Sequence, residues 1–325
     1  MTVSRVLNGQ PRVSSQTRAR VLAAIEALGY RPSSAARALA TGRSRVLGVV
    51  SFNTALYGPA ATLSWIEEAA REAGYFLSVV TLQPASPWTP AAVMRHLKAQ
   101  AVDGIIISAP HAWAADAVRH LPGGTPIVVV DAEGGAAPSV AVDQRAGAVA
   151  ATCHLLGLGH QTVWHVAGPR DWLSARARER GWRNALEGAG AFVPRVLRGD
   201  WSVRSGYEQG LRAVQHAGVS AIFAANDQMA LGVLRALREK GADVPGDVSL
   251  VGFDDVPEAG YFWPPLTTVR QDFCEVGRRS LQLLLQQVEG SPCPSGLRAI
   301  VEPDLIVRKS SGPPSAARNA KRARR

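Results

Sequence analysis

Apolar residues follow two rhythms along this chain. Near the front, Val21, Leu22, Ile25 and Leu28 recur at the three-to-four-residue period of one helical face. Ser14-Ser15-Gln16-Thr17 precedes them and supplies an N-cap hydroxyl, and Gly29 follows as a stop, so a capped helix is predicted up to Leu28. Tyr30-Arg31-Pro32 breaks the chain. Ser33–Leu39 is a short Ala-rich helix candidate, and Thr41-Gly42-Arg43-Ser44 is a linker.

From Arg45 the rhythm changes. Val46–Val50 is a continuous apolar run, the mark of a buried strand, and an amphipathic segment with Leu63, Ile66 and Ala70 follows it. Further strands are predicted at 76–82, 104–107, 126–130, 163–167, 220–224, 248–252 and 299–307. Helices are predicted at 90–100, 148–156, 175–187, 207–216, 228–240 and 275–284. Apolar strands alternating with helices mean parallel sheets covered on both faces, and there are too many strands for one compact sheet. The expected fold is therefore α/β with two lobes.

Composition narrows the class. With 325 residues and 46% hydrophobic content, the chain can bury a sizeable core. No apolar run approaches the roughly 18 residues of a membrane span. Arg5 and Arg12 flank no apolar segment of a signal peptide, which points to the cytoplasm. Cys153, Cys274 and Cys293 have no metal or disulfide spacing and read as free thiols. The net charge of +10 is uneven: residues 1–45 carry +7 and residues 309–325 carry +6, leaving a mildly acidic middle. Basic ends on such a body suggest phosphate contact. Enzyme signatures are missing: no Gly-rich dinucleotide loop, no Walker loop and no Gly-x-Ser-x-Gly occurs. His154, His160 and His165 lack the spacing of metal ligands, so no metal and no cofactor is expected.

Candidate chemistry sits at strand ends. Asp131, Asn226 and Asp254 each follow an apolar strand, where open α/β sheets bind ligands. Carboxylates and amides suit sugar hydroxyls because each takes two hydrogen bonds. Arg176, in Ser174-Ala175-Arg176, adds a donor fork, and Trp201, between Asp200 and Ser202, offers a half-exposed flat face for a sugar ring. Asp255 reads as structural.

Over nearly its whole length the chain resembles the lactose-repressor (LacI/GalR) family of transcription regulators. The motifs that carry this occur in order: Thr2–Asn8, Val13-Ser14-Ser15-Gln16-Thr17-Arg18, Gly29-Tyr30-Arg31-Pro32, Ala225-Asn226-Asp227-Gln228-Met229-Ala230, Gly252-Phe253-Asp254-Asp255 and Pro264-Pro265-Leu266-Thr267-Thr268. The resemblance implies a helix-turn-helix headpiece, a hinge helix and a two-lobed core like the periplasmic sugar-binding proteins, with three crossovers between lobes. The expected division is a partial headpiece at 1–30, hinge helix and linker at 31–44, a core at 45–310 and a disordered basic tail at 311–325. Within the core, the first lobe takes 45–142 and 272–300, and the second takes 143–271 and 301–310.

By resemblance, Thr2, Ser4, Arg5 and Asn8 belong to the DNA-reading helix. Arg5 reaches a base edge, and Ser4, Asn8, Ser14 and Thr17 hold phosphates. Leu39 wedges into the minor groove of operator DNA, with Ala36 packed beside it. A helix-turn-helix sets a supporting helix and a turn before its reading helix, about twenty residues that do not precede Thr2 here. The headpiece is thus expected to be N-terminally truncated, through a start codon called too far downstream. The chain as written is then expected to bind operator poorly, and an upstream-extended version well.

In the core, Leu56, Gly58 and Pro59 wall the implied pocket. Asp131, Arg176, Asn226 and Asp254 bind hydroxyls, Trp201 stacks on the ring, and Gln271 and Phe273 lie at a crossover. The pocket segments resemble most those of the member that gives the family its name, which implies a galactoside-like effector; Tyr57 and Thr62 depart from its residue types. A homodimer on a palindromic operator is expected, joined through the first lobe's outer helices around Trp65, Ile66 and Ala70. Two alternatives stay open: a cytoplasmic sugar-binding protein without DNA binding, and a transporter-linked one, which would need the missing signal peptide.

Overall fold

The computed structural model describes residues 3, 6, 13–29, 42–83, 88–108, 118, 124–131, 135, 137–216, 218–291 and 293–315. The chain divides into two units, Met1–Arg45 and Val46–Arg325.

In the front unit, helix α1 spans Ser15–Ala27. Ser14 caps it as predicted: its Oγ accepts from the Thr17 amide at 3.3 Å and shares a 2.9 Å hydrogen bond with the Thr17 hydroxyl. No α1 residue is buried, and Leu28 is 81% exposed. Val6 is buried, and its carbonyl accepts from the Arg18 guanidinium at 3.5 Å. Thr2, Ser4, Arg5, Asn8, Ala36 and Leu39 lie outside the described residues.

The larger unit has the two-lobed α/β architecture expected from the apolar rhythm. Its first sheet is ordered β2-β1-β3-β4-β5-β11, from Val46–Phe52 (β1), Phe76–Leu82 (β2), Gly104–Ser108 (β3), Ile127–Val130 (β4), Ser139–Val142 (β5) and Arg298–Val301 (β11), all parallel. Helices Tyr57–Glu72 (α2), Pro90–Ala99 (α3) and Phe273–Val288 (α8) cover it. The second sheet is ordered β7-β6-β8-β9-β10-β12, from Trp164–Ala167 (β6), Leu197–Arg198 (β7), Ala221–Ala224 (β8), Ser249–Asp254 (β9), Thr267–Arg270 (β10) and Asp304–Ile306 (β12); only β12 is antiparallel. Its helices are Gln144–Gly157 (α4), Leu173–Gly188 (α5), Val203–Ala213 (α6) and Asp227–Glu239 (α7).

The chain crosses between lobes around Asp143, around Gln271-Asp272 and around Glu302-Pro303. The third crossing corrects the single strand expected over 299–307. Pro303 offers no amide to a ladder, and the apolar residues on its two sides pair with different sheets.

Two further expectations change. Ile66 and Ala70 are fully buried under the first sheet and cannot form an outer surface, whereas Trp65 on the same helix is 42% exposed. Residues 311 and 312, expected in the tail, make contacts with the second lobe. The Ser311 hydroxyl meets His154 Nε2 at 2.9 Å, and the Gly312 carbonyl accepts from the Ser249 hydroxyl at 2.8 Å, so this stretch is tied to the second lobe.

Close helix packing sets the cleft floor. A Cβ on Gly206 would sit 2.2 Å from the Met229 carbonyl oxygen, and one on Gly232 would sit 2.0 Å from the Val203 carbonyl oxygen. Only glycine lets α6 and α7 approach at backbone distance, and this fixes the α7 N-terminus, where Asn226 stands.

Candidate functional site

Between the lobes lies a cavity that is open to solvent at its mouth. Nine of the ten predicted ligand residues line it: Leu56, Gly58, Pro59, Asp131, Trp201, Asn226, Asp254, Gln271 and Phe273. The tenth, Arg176, does not. It is exposed on α5, and Arg178 enters the cavity in its place. On α5 the buried positions Ala175, Arg178, Trp182 and Ala185 share one face, and residue 176 falls on the opposite side. That spacing was readable in the sequence; the tripeptide Ser174-Ala175-Arg176 drew attention to the wrong arginine.

Arg178 closes a ring of four polar side chains. Its Nε donates to Gln144 Oε1 at 2.8 Å. Gln144 Nε2 donates to Gln271 Oε1 at 2.7 Å, and Gln271 Nε2 donates to Asp254 Oδ1 at 2.6 Å. The ring closes through the Arg178–Asp254 ion pair at 3.5 Å. Arg178 also donates to the Ala225 carbonyl, and its guanidinium lies 3.8 Å from the Phe253 ring centre. Every member is buried, so each partner satisfies a charge or amide that water cannot reach. Gln144 and Gln271 stand at two of the three crossovers, which fastens the connections between lobes to the cleft floor.

Burial pushes the Asp254 carboxyl up to about 6, although Arg178 and the Gln271 amide pull it down. Asp131 is likewise raised to about 6 by burial, with Arg178 opposing. Burial lowers Arg178, and Asp254 and Asp131 counter that shift. Asp131, Trp201 and Asp254 all take positive φ, at 56°, 77° and 113°. Non-glycine residues rarely adopt this conformation, and three of them at one cleft mark strain gathered where side chains must be aimed.

Asn226 is both wall and cap. Its Oδ1 accepts from the Met229 amide at 2.9 Å, and its Nδ2 donates to the Trp201 carbonyl at 3.1 Å. Trp201 was expected to be half exposed but is buried, edge-on to Trp172 at 5.6 Å. Its indole N–H finds no partner among the described residues. Asp255 is structural as read, paired with Arg270 and Arg308 at 2.7 Å each.

Asp227 lies within the Ala225–Ala230 motif but is not among the expected ligand residues. It is fully buried, accepts from the Thr268 hydroxyl at 2.6 Å and the Val256 amide at 2.9 Å, and is pushed up to about 8 by burial. A Cβ at Gly252 would come within 2.2 Å of its carboxyl, so the glycine before Phe253-Asp254 makes room for it. Tyr57, Thr62, Ser108, Gln144, Trp172 and Ser174 complete the wall beyond the expected ligand residues. Most are small or uncharged, and only the folded arrangement gathers them. Among the described residues, no group of three or more His, Cys, Asp or Glu is placed to hold a metal ion, and no helix is long and apolar enough to cross a membrane.

A polar, ring-braced cavity between two parallel-sheet lobes, in a chain whose first 45 residues are basic and carry a capped helix, defines a regulator built on a periplasmic-binding-protein-like core. Residues 1–33 match the family model of the bacterial regulatory proteins of the lacI family, and residues 152–311 match that of periplasmic binding protein-like domains. The lactose operon repressor of Escherichia coli (strain K12) is 34% identical over 325 residues, spanning 99% of this chain and 90% of the relative. The transcriptional repressor PurR of Haemophilus influenzae (strain Rd) is 33% identical over 95% of this chain and 94% of its own. The crystal structure of the lac repressor dimer bound to operator and an anti-inducer superposes with a TM-score of 0.85 at 33% identity, covering 96% of this chain and 94% of that one. The protein belongs to the lacI family of bacterial regulatory proteins, and it is a transcription regulator, not an enzyme.

Proposed function

We propose that the protein is a homodimeric repressor of carbohydrate-metabolism genes in the cytoplasm, released from palindromic operator DNA when a small galactoside-like sugar binds between its lobes. The observation that carries the reading is the Arg178–Gln144–Gln271–Asp254 ring beside Asp131, Asn226 and Trp201. These groups present carboxylate and amide acceptors, a guanidinium, an unpartnered indole N–H and a flat aromatic face to one cavity. That inventory suits a ring of hydroxyls. Above about pH 6 both Asp131 and Asp254 are ionised and accept from hydroxyls.

On the DNA side, Thr2 lies in the reading helix with Arg5, which reads a base, Ser4, Asn8, Ser14 and Thr17 fix the register, and Leu39 with Ala36 enters the minor groove. The exposed hydroxyls of Ser14 and Thr17 at the N-terminus of α1 suit a phosphate. Exposed Trp65 and Phe76 on the first lobe, and Tyr261 and Trp263 on the second, support pairing of two copies. Sugar binding favours one arrangement of the lobes, shifts the paired first lobes and loosens the hinge on DNA.

Titration calorimetry against a panel of galactosides and other sugars tests the reading. Heat is expected from a galactoside. Heat from another sugar with none from any galactoside would remove the galactoside assignment.

A further inference from the structure

The cleft does not end at Asp131. Asp131, Gln144 and Ser174 also border a second recess, open to solvent. Its walls belong to different lobes. Arg298, on β11, stands on the first-lobe wall; Arg145, on α4, and Arg180, on α5, stand on the second-lobe wall. Two carboxylates share the recess. Asp143 is engaged with the Ala146 amide at 2.8 Å, where it caps α4. Asp131 sits at the boundary with the inner cavity, where burial raises its carboxyl to about 6 while Arg178 and Arg298 pull it back down. Arg145 is braced by an amide rather than by an acid. With the Asn184 side chain oriented to satisfy its neighbours, its oxygen accepts from Arg145 Nε at 3.1 Å and Nη2 at 2.6 Å, and its nitrogen donates to the Arg180 carbonyl at 3.2 Å.

Guanidiniums on both walls repel one another as the lobes approach, so an anion between them favours the closed arrangement. We propose that this recess takes the phosphate of a phosphorylated sugar whose ring occupies the inner cavity. Three guanidiniums drawn from two walls match a tetrahedral dianion with three free oxygens better than they match a planar carboxylate. Arg298 then clasps the phosphate from one lobe while Arg145 and Arg180 hold it from the other. The phosphate thereby ties lobe closure to the metabolic state of the sugar. The inference rests on the sugar reading of the inner cavity.

Calorimetry at low salt with galactose, galactose 1-phosphate and galactose 6-phosphate tests it. One ester is expected to bind about tenfold or more tighter than galactose, the gain that charge-assisted contacts supply. The Arg180→Gln, Arg298→Gln double variant should bring that ester down to the affinity of galactose in the same variant. Esters that bind no tighter than galactose, or a gain that survives both substitutions, overturn the phosphate assignment and leave the sugar cavity standing. No heat from any of the three compounds overturns the galactoside reading, and this inference with it.

Discussion

The two lobes have the same strand order and bury different chemistry. The first packs Val, Ile and Leu between its helices, and its buried polar residues are hydroxyls: Ser51, Thr62, Ser108, Ser139 and Ser280. The second buries Arg178, Asp227, Asp254, His165, Asn226 and Gln209 among Trp172, Trp182, Trp201, Phe223 and Phe253. Among the described residues of the first lobe, no ionisable side chain is buried in the core; Asp131, at the cleft edge, is partly exposed and is still raised to about 6 by burial. The second lobe is therefore the platform, with donors and acceptors locked in place before a ligand arrives. The first lobe supplies a largely apolar lid of Leu56, Gly58, Pro59 and Phe273, with Asp131 as its acid. A lid that makes few directional bonds can move without breaking any, and a platform held by a closed ring cannot.

The hardest test of that contrast is Arg178→Ala. It leaves Asp254 buried without its cation and should cost about 3–5 kcal/mol in urea unfolding, with loss of sugar heat in calorimetry. Arg176→Ala should change neither quantity. An Arg178→Ala protein as stable as the parent would break the distinction between platform and lid.

Next in size, Ile106→Ala opens a hole in the first lobe's core and should cost about 2–5 kcal/mol of stability. The sugar dissociation constant should stay within about twofold, since the Ile106 side chain sits in the apolar core and does not line the cavity. A large loss of affinity there would show that the lid's packing and the platform's chemistry are coupled.

The smallest effect is on pH. Asp131 and Asp254, both raised to about 6, accept from hydroxyls more strongly when ionised, so sugar affinity should be full above pH 7 and fall as pH drops through 6. Between pH 7 and 5 the loss should be about tenfold if one carboxylate is needed, and steeper if both are. The Asp131→Asn variant separates the two. An unchanged profile assigns the titration to the platform alone, and a flattened one gives the lid a share.

How much of this was legible in the sequence depended on length and on period. β1, β3 and β4 announce themselves because buried parallel strands are apolar throughout. The four residues of β5, the two of β7 and the threonine-rich β10 are too short or too polar to stand out, and only pairing with neighbours makes them strands. Asp131, Asn226 and Asp254 were found because strand ends are where such sheets bind ligands. Gln144 was missed because nothing local marks a glutamine whose importance lies in meeting Gln271, 127 positions away. Trp201 looked half exposed from its polar neighbours, yet Trp172 and the bare Gly168 backbone enclose it from segments distant in sequence.

The crossing at Glu302-Pro303 has a consequence for how the protein is made. Residues 298–306 contribute the edge strand of both sheets, one on each side of that dipeptide. The helix over 273–288, which covers the first sheet, also emerges after most of the second lobe has been translated. Neither sheet can be completed on the ribosome until residue 306 has emerged, although the first lobe starts at residue 46. The usual order, in which an early domain folds before a later one appears, does not hold for a lobe whose edge strand follows nearly the whole of its neighbour. The two halves mature together, and a chain cut before residue 298 would leave both with an open edge.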